Sequence, residues 1–505
     1  MQGWLKHLST FPTLLRLLMK TAHLISPSAP AECMADADIT VAIETLLATN
    51  NGLAAHQIVV QTRAGIVALS GFTTNLLAQQ RAEEIALAVR GVRGLYSTLA
   101  VRTAAMPDAE LQHAVACALA DDPAIDDYQV HCLAHHGLVA LSGLVQSWAQ
   151  KQLVLRGVQG VCGVRGFEAE QLMIRGGEIL NSDEETNTQI REWLDWGICV
   201  NRSLMVVRTN EQVVHLSGTV GTAAEKDRLV AIAYQTGATR VDARDLFVAY
   251  SVLGRTIRRE KFAPKTDAAI EAAVRATLCF NPRVCSAETL VQVLDGVVTL
   301  AGTVSNLRTR QDAEQDARHV VGVANVHNLL KVRPARLVPD EDIHRNIVAA
   351  LARDPYVGHL FFGVRVLGGQ VLLTGQVDTH IELEQAGEVA SGVSGVVDVT
   401  NRLDLLGTAA AAGPESLLLN PDQSLAAGIR ARYGWLASLH DQEMAVRVAN
   451  GRAIRTGTVD TWLDRKLAAQ EAHEAGAHEV NNHLHMLHTD PRIHDEMPVD
   501  HGIEA

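Results

Sequence analysis

Histidines crowd the C-terminal end of the chain, and imidazole is a common ligand of zinc, copper and nickel. Residues 483–488 read HLHMLH, so His483 and His485 share one face of a predicted final strand, with His488 close by. This spacing is compatible with a metal site. Because leucines alternate with the histidines, a half-exposed strand with solvated histidines explains the same pattern more simply. A pH-sensitive assembly switch is a further hypothesis, because imidazole titrates at about pH 6.5.

Ser-Gly pairs recur along the chain, and a serine beside a glycine can be the nucleophile of a hydrolase. A nucleophile elbow needs a glycine two residues before the serine, whereas Ala68, Ala140 and His215 stand there. Ala301 and Thr374 replace the serine at other occurrences, which is typical of an ordinary strand position. The sequence also lacks the glycine-rich loops that hold nucleotides. We therefore predict no catalytic residues, no cofactor and no enzymatic activity.

The Ser-Gly pairs belong to an internal repeat with six copies. Its core strand reads ALSGFT at 68–73, ALSGLV at 140–145, HLSGTV at 215–220, TLAGTV at 299–304, LLTGQV at 372–377 and IRTGTV at 454–459. The shared glycines are Gly71, Gly143, Gly218, Gly302, Gly375 and Gly457, which are 72, 75, 84, 73 and 82 residues apart. Self-similarity at such a period indicates an array of small domains.

A second glycine stands six residues before the shared one in most repeats. These glycines are Gly65, Gly137, Gly296, Gly369 and Gly451. Asp295-Gly296 and Asn450-Gly451 suit a two-residue type I′ hairpin turn, in which both residues need a positive φ. Gln212 replaces the glycine in repeat 3, so the sequence predicts a wider or distorted turn there.

An amphipathic helix follows each hairpin and is predicted to end at a glycine in the left-handed conformation. The predicted stops are Gly91, Gly160, Gly237, Gly322, Gly395 and Gly476. The stop lies 20 residues after the shared glycine in repeats 1, 4 and 5, and 19 residues after it in repeats 3 and 6. In repeat 2 the separation is 17 residues, which predicts a helix that has lost a turn.

With a helix before each hairpin and a strand after each stop, the predicted fold class is α+β. It is a tandem repeat of small αββαβ domains, each a three-stranded sheet backed by two helices. The predicted domains are 36–102, 107–174 (shortened helix), 182–250 (divergent turn), 265–332, 339–405 and 422–488. An amphipathic or export segment, 1–35, precedes them, and a tail, 489–505, follows. Units this small are marginal alone, so open sheet edges or uncovered faces are expected to dock the next unit.

The full repeat pattern resembles the BON domain, named for bacterial osmotic-shock (OsmY-type) and nodulation proteins. The resemblance rests on V-x-V-x-x-G-x-V-x-L-x-G-x-V, an alanine-rich helix and G-V-x-x-V-x-N-x-L, and is strongest at 265–332 and 339–405. It implies an α+β fold without enzymatic activity. It also implies a periplasmic or cell-envelope protein of the stress-response type that binds phospholipid or another envelope component.

Charge narrows the choice of partners. The net charge of −13 argues against nucleic acid, whose phosphates require a basic face. The connector 251–265 is basic, and it is either a solvated linker or a contact for anionic lipid or an acidic partner. Its cations are Arg255, Arg258, Arg259, Lys261 and Lys265.

The compartment is left open by two features. Apolar residues at helical spacing in segment 1–35 fit a packed helix, a membrane-surface anchor or an export signal. The seven cysteines show no C-x-x-C pair, which favours free thiols and a reducing compartment. The cytoplasm is therefore the alternative to the periplasm or envelope.

Two functions are compatible with such an array. The first is a non-enzymatic, multivalent envelope-associated protein that contacts phospholipid or an envelope polymer through its repeats. The alternative is a self-assembling structural protein that forms an oligomer or filament through exposed repeat edges.

Overall fold

The computed structural model describes the six repeats and parts of their connectors. The described residues are 34–50, 53, 57–122, 124–125, 129–175, 182–198, 200, 204–249, 261–262, 265–284, 288–334, 337–406 and 421–486. Asp36–Ala505 forms one compact unit. The predicted N-terminal segment, apart from residues 34–35, and the tail 489–505 lie outside the described residues.

The first three repeats share one order of elements. Repeat 1 comprises α1 (Asp36–Thr49), β1 (Gln57–Arg63), β2 (Ile66–Thr73), α2 (Leu76–Ala88) and β3 (Gly94–Val101). Repeat 2 comprises α3 (Asp108–Asp121), β4 (Gln129–His135), β5 (Leu138–Val145), α4 (Trp148–Gln159) and β6 (Gly166–Ile174). Repeat 3 comprises α5 (Asp183–Trp196), β7 (Met205–Asn210), β8 (Val213–Val220), α6 (Ala223–Gln235) and β9 (Arg240–Val248).

The last three repeats follow the same order. Repeat 4 comprises α7 (Asp267–Phe280), β10 (Glu288–Leu294), β11 (Val297–Val304), α8 (Leu307–Arg318) and β12 (Asn325–Val332). Repeat 5 comprises α9 (Asp340–Arg353), β13 (Phe362–Leu367), β14 (Gln370–Val377), α10 (His380–Gly392) and β15 (Asp398–Leu405). Repeat 6 comprises α11 (Pro421–Trp435), β16 (Glu443–Ala449), β17 (Arg452–Val459), α12 (Trp462–Glu474) and β18 (Glu479–Met486). The predicted fold class is confirmed.

Each repeat forms its own three-stranded sheet with the second strand in the middle. The hairpin pairs antiparallel, and the crossover through the second helix places the third strand parallel to the middle one. In repeat 4, Val298 and Leu300 of β11 are fully buried against Ile270 and Val274 of α7 and Ala313 of α8. Alternate residues of each strand face solvent, as expected for a sheet covered on one face only.

The turn of repeat 3 is not distorted, so that prediction is wrong. β7 and β8 are joined by Glu211 and Gln212, whose φ values of 50° and 61° match those of the other hairpins. Both backbone N–H groups donate to the carboxylate of Asp183, at 2.8 and 2.9 Å. These two hydrogen bonds offset the strain of a positive φ in residues other than glycine.

The second helix of repeat 2 is not shortened either. α4 has 12 residues, as α8 does in repeat 4. Gly160 caps α4 at φ −78°, whereas Gly163 has φ +91° and is the counterpart of Gly322. Gly163 lies 20 residues after Gly143, as in repeats 1, 4 and 5. Glycines recur every third residue here, so sequence spacing alone does not single out the one with positive φ.

Helix ends, rather than sheet edges, join the repeats. Each sheet contains strands of one repeat only, so docking through sheet edges is wrong for the residues that the structure describes. Repeat 1 meets repeat 6 where Arg90 N–H donates to Trp435 O and Ala437 N–H to Ala88 O. These bonds satisfy carbonyls that a helix end leaves without an intrahelical partner.

Two further pairs of repeats meet in a similar way. Ile198 N–H donates to His319 O and Val321 N–H to Trp196 O, which joins repeats 3 and 4. Cys162 N–H donates to Arg353 O at 2.7 Å, which joins repeats 2 and 5. The first half of the chain is thus paired with the second in reverse order.

Within each half, the second helices pack on one another. α6 contacts both α2 and α4, and α8 contacts α10. The ring of Trp148 stacks on Tyr234 between repeats 2 and 3, with centroids 6.1 Å apart. His380 of α10 stacks on His473 of α12 at 4.7 Å, and the guanidinium of Arg318 lies over Trp462. The second helices are therefore turned toward neighbouring repeats, away from the outer sheet faces.

Candidate interaction surfaces

An aspartate near the start of the first helix holds the hairpin turn of each repeat, and sequence analysis missed it. The Asp36 carboxylate accepts hydrogen bonds from the N–H groups of Ala64 and Gly65 at 2.7 and 2.9 Å. The equivalent aspartates are Asp108, Asp183, Asp267, Asp340 and Asp422. Each lies 28 residues before the first turn residue, and this constant separation was the available signal.

The predicted turn glycines adopt the left-handed conformation that their role requires. The φ values are 75° for Gly65, 84° for Gly137, 73° for Gly296, 75° for Gly369 and 73° for Gly451. The shared strand glycines Gly71, Gly143, Gly218, Gly302, Gly375 and Gly457 have φ between 116° and 148°. A Cβ on Gly71 would lie 2.0 Å from the carbonyl oxygen of Gln57, so no side chain fits there.

The remaining predicted stops also lie at positive φ. The values are 88° for Gly91, 100° for Gly237, 90° for Gly322, 92° for Gly395 and 105° for Gly476. All these glycines allow the backbone conformation that the repeats require, and they have no side chain that could bind or react.

The outer face of each sheet, opposite its helices, is the main solvent-facing surface. Large apolar side chains are exposed there in repeats 1 to 5: Val59, Ile66, Tyr96, Leu133, Leu138, Leu144, Met173, Val206, Phe247, Leu290, Leu294, Leu329 and Leu367. In repeat 4, Leu290 and Leu329 flank Ala301 across the three strands. The described residues of repeat 6 contribute none of the large exposed apolar side chains.

The predicted basic contact is only partly described. Lys261 Nζ donates a hydrogen bond to the carbonyl of Val200, and Lys265 Nζ lies 5.7 Å from the ring centroid of Trp196. Both lysines therefore contact repeat 3. Arg255, Arg258 and Arg259 lie outside the described residues.

The predicted histidine site is likewise incomplete. His483 and His485 are exposed on β18, beside Thr456 and Thr458 of β17. His488 lies outside the described residues. Within the described ranges, no three His, Cys, Asp or Glu side chains converge in a way that would hold a metal ion.

Charged side chains cross the junctions between repeats. Arg283 of repeat 4 is ion-paired with Asp122 of repeat 2 and lies 3.4 Å from Asp312. Arg353 of repeat 5 pairs with Asp121 of repeat 2. Burial raises the pKa of Asp121 and Asp312, and these arginines act in the opposite direction.

Repeat 6 carries a buried arginine where every other repeat has leucine. Arg455 is fully buried and occupies the position of Leu69, Leu141, Leu216, Leu300 and Leu373. Its Nη1 lies 3.4 Å from the carbonyl of Arg465, whereas Nε and Nη2 have no hydrogen-bond partner. Burial lowers the pKa of Arg455, and nearby Tyr433 has a pKa raised to about 12 by its own burial.

A groove opens in repeat 2 between α3 and the edge strand β4. It has a volume of about 460 Å³ and is lined by Ala116 and Ala120 of α3 and by Cys132 of β4, among others. No residue of β4 is fully buried, unlike Val60 of β1. We call this feature the repeat-2 groove.

The geometry defines a tandem array of small αββαβ domains with outward sheet faces. The chain belongs to the BON domain family, whose pattern matches residues 35–103, 107–167, 182–244, 266–334, 339–407 and 421–487. Osmotically-inducible protein Y of Escherichia coli (strain K12) is 32% identical over 143 residues, covering 27% of this chain and 71% of that protein. An OsmY-like protein with six repeats is therefore confirmed. This family is generally non-enzymatic and associated with the cell envelope and phospholipid.

Two solved structures of CdsD, a structural protein of the type III secretion system of Chlamydia trachomatis, are also similar. The C-terminal domain has 14% identity and covers 39% of this chain and 90% of its own, with a TM-score of 0.12. The second has 15% identity, covers 39% and 85%, and has a TM-score of 0.11. At these TM-scores we draw no conclusion from the likeness.

Among the described helices, none is both long and apolar enough to cross a bilayer.

Proposed function

We propose that this protein is a periplasmic or envelope-associated binding protein that contacts phospholipid through the outer sheet faces of several repeats. The observation that carries the proposal is the exposure of large apolar side chains on these faces in repeats 1 to 5. Exposed apolar patches mark sites of membrane or partner contact. The second helices, by contrast, are used in packing between repeats.

Several weak faces on one chain gain affinity through multivalency. The closed pairing of repeats 1 with 6, 2 with 5 and 3 with 4 holds the faces in a fixed arrangement, which reduces the entropy lost on binding. Family membership and the similarity to Osmotically-inducible protein Y support this function. No catalytic step is required by it.

The test is flotation of the purified chain with anionic and neutral liposomes at low and high salt. The variant Leu133→Glu/Met173→Glu places two carboxylates on the outer face of repeat 2, and Ala445→Glu/His485→Glu is the control with two carboxylates on repeat 6. We expect the double variant to float less and the control to float like the wild type. A chain lacking residues 1–35 separates the N-terminal segment from the repeats. If the wild type floats with neither lipid, the proposal fails.

Self-assembly is the second candidate, and the unpaired edge strands of the six described sheets favour it. Size-exclusion chromatography with light scattering tests this function. A concentration-dependent rise in mass above 54.4 kDa would support it, whereas a single species at that mass would argue against it.

A further inference from the structure

The repeat-2 groove corresponds to a place that repeats 4 and 6 fill with their own arginine. In repeat 4, Arg275 Nη2 reaches from α7 to the edge strand and donates to the carbonyl of Val291 at 3.1 Å. In repeat 6, Arg430 Nη2 donates to the carbonyl of Val446 at 3.4 Å. The aliphatic stem of each arginine spans the gap between helix and strand.

Repeat 2 has alanine where these arginines stand. Counted from the aspartate that clamps the turn, the residue at this position is Ala116, against Glu44, Arg191, Arg275, Val348 and Arg430 in the other repeats. Cys132 is the counterpart of Val291, because each pairs with the core leucine of its middle strand. Val291 is 1% exposed, whereas Cys132 is only half-buried. The groove is therefore the space that an arginine side chain leaves when it is absent.

The groove also offers the acceptor that the arginines use. The Val291 carbonyl points away from β11 toward the helix, so by the shared register the Cys132 carbonyl faces the repeat-2 groove. Ala116, Leu119 and Ala120 provide an apolar wall for an aliphatic stem.

Charge favours a cationic occupant. The segment 108–174 contains eight Asp and Glu residues against three Lys and Arg residues. Repeats 4 and 6 are closer to balance, with seven against six in 267–332 and eight against seven in 422–486. Repeat 2 thus carries a net negative charge and has a groove at the position that Arg275 and Arg430 occupy in repeats 4 and 6.

We propose that the repeat-2 groove binds an arginine side chain of a partner polypeptide, which runs alongside the edge strand β4. The guanidinium donates to the Cys132 carbonyl, as Arg275 and Arg430 do to theirs, and the stem packs on Ala116 and Ala120. The partner backbone pairs with outward N–H and C=O groups of β4 other than the Cys132 carbonyl, in the mode by which extended peptides add to a sheet.

The test uses fluorescein-labelled peptide TVRVT and the full chain, with binding measured by fluorescence anisotropy. Ala116→Arg inserts the side chain that repeats 4 and 6 carry, and we expect it to weaken binding about tenfold or more. Arg275→Ala opens the equivalent groove in repeat 4, and we expect a second bound peptide per chain. The circular dichroism spectrum of each variant verifies that it is folded.

Peptides in which norleucine or citrulline replaces the arginine test recognition of the guanidinium. We expect both to bind about tenfold more weakly than TVRVT. Equal binding by the wild type and Ala116→Arg would overturn the proposal, as would norleucine binding as tightly as arginine. Flotation with liposomes that is lost in Ala116→Arg, together with no peptide binding, would assign the groove to lipid instead. The peptide-binding outcomes do not depend on the outer sheet faces, so the two proposals fail separately.

Discussion

Repeats 4 and 6 have the same helices and strands, but the residue at the centre of the core is apolar in repeat 4 and charged in repeat 6. In repeat 4, Leu300 of β11 is fully buried among Val298, Ile270 and Val274. In repeat 6 the same position holds the buried guanidinium of Arg455, and α12 buries the carboxylates of Asp464, Glu471 and Glu474. The strand register around the two positions is the same. The frame of the repeat therefore does not depend on an apolar centre.

The difference shows where the stability of repeat 6 comes from. Arg81 of α2 lies 3.4 Å from Glu474, and Arg432 bonds both Glu471 and Thr49 of repeat 1. Trp462 packs under Arg318 of repeat 4. A buried cation is costly unless its surroundings compensate. Contacts with repeats 1 and 4 therefore add to the stability that repeat 6 gains from its own core.

Replacement of the core residue Leu300 by arginine should destabilise repeat 4. In Leu300→Arg a guanidinium would replace an apolar side chain that packs among Val298, Ile270 and Val274, so we expect a loss of about 3–5 kcal/mol in the local free energy of unfolding. Hydrogen exchange with mass spectrometry on β11 measures it without assuming two-state unfolding of the whole chain. Leu300→Met is the size-matched control, and we expect it to cost less than about 1.5 kcal/mol. Equal protection in the two variants would contradict the prediction.

The pH dependence of repeat 4 should reflect Asp316. Burial raises the pKa of this carboxyl from 3.8 to about 7, with the amide of Asn281 donating to it at 2.7 Å. Arg228 of repeat 3 favours its ionised form, and Asp312 opposes it. Because the folded state holds the proton more tightly, this group's contribution is full below about pH 4 and is lost as the pH rises through about 7.

Comparison of the wild type with Asp316→Asn between pH 4 and pH 8 tests this sign. We expect the change in exchange protection of α8 from pH 4 to pH 8 to be more negative in the wild type than in Asp316→Asn, because only the wild type loses the contribution of this carboxyl. The contribution of His319 to stability has the opposite pH dependence. Burial lowers the pKa of His319 to about 4, so its contribution is lost as the pH falls from about 6.5. Equal pH profiles in the wild type and Asp316→Asn would refute the assignment to Asp316.

Removal of the buried cation should stabilise repeat 6. In Arg455→Leu the unpaired Nε and Nη2 groups disappear, and repulsion with Arg465 is relieved. We expect a gain of about 1–3 kcal/mol in the protection of β17, since replacing buried charges by apolar side chains is often stabilising. Arg447→Leu on the exposed face of the same repeat is the control and should change stability by less than about 0.5 kcal/mol. A loss of protection in Arg455→Leu would show that the guanidinium makes stabilising contacts that outweigh the cost of burying it.

The repeat and its elements could be predicted from sequence because they depend on local backbone conformation, such as the positive φ of glycines at turns and helix ends. The spacing between the shared glycine and the stop glycine also differs by one residue among the repeats, and this difference corresponds to two kinds of helix end. In repeats 3 and 6, where the stop lies 19 residues after the shared glycine, the N–H groups of Gly237 and Gly476 bond to Tyr234 O and His473 O in a tight helix end. In repeat 1 the separation is 20, and Val89 instead bridges Leu436 of repeat 6.

Pairing of the repeats was not predictable in the same way. It depends on helix ends more than 100 residues apart and on single ion pairs such as Arg283 with Asp122, which follow no period. The repeat-2 groove was missed because it results from an absent side chain at Ala116, which only the equivalent contacts of Arg275 and Arg430 reveal. The outer faces were visible as alternating patterns, but which of them expose large apolar side chains required the structure.

Substitutions on the outer sheet faces should have the smallest effect on stability. They test the proposed function most directly. The variant Leu290→Ala/Leu329→His gives repeat 4 the residues that repeat 6 carries at Ala445 and His483. Both leucines are more than half exposed, so we expect protection of repeat 4 to change by less than about 0.5 kcal/mol. Flotation with liposomes should nevertheless decrease, because apolar area on the outer face is lost. The reverse exchange, Ala445→Leu/His483→Leu, should increase flotation. If neither exchange alters flotation while the charged variant of repeat 2 does, lipid contact is confined to the faces of other repeats.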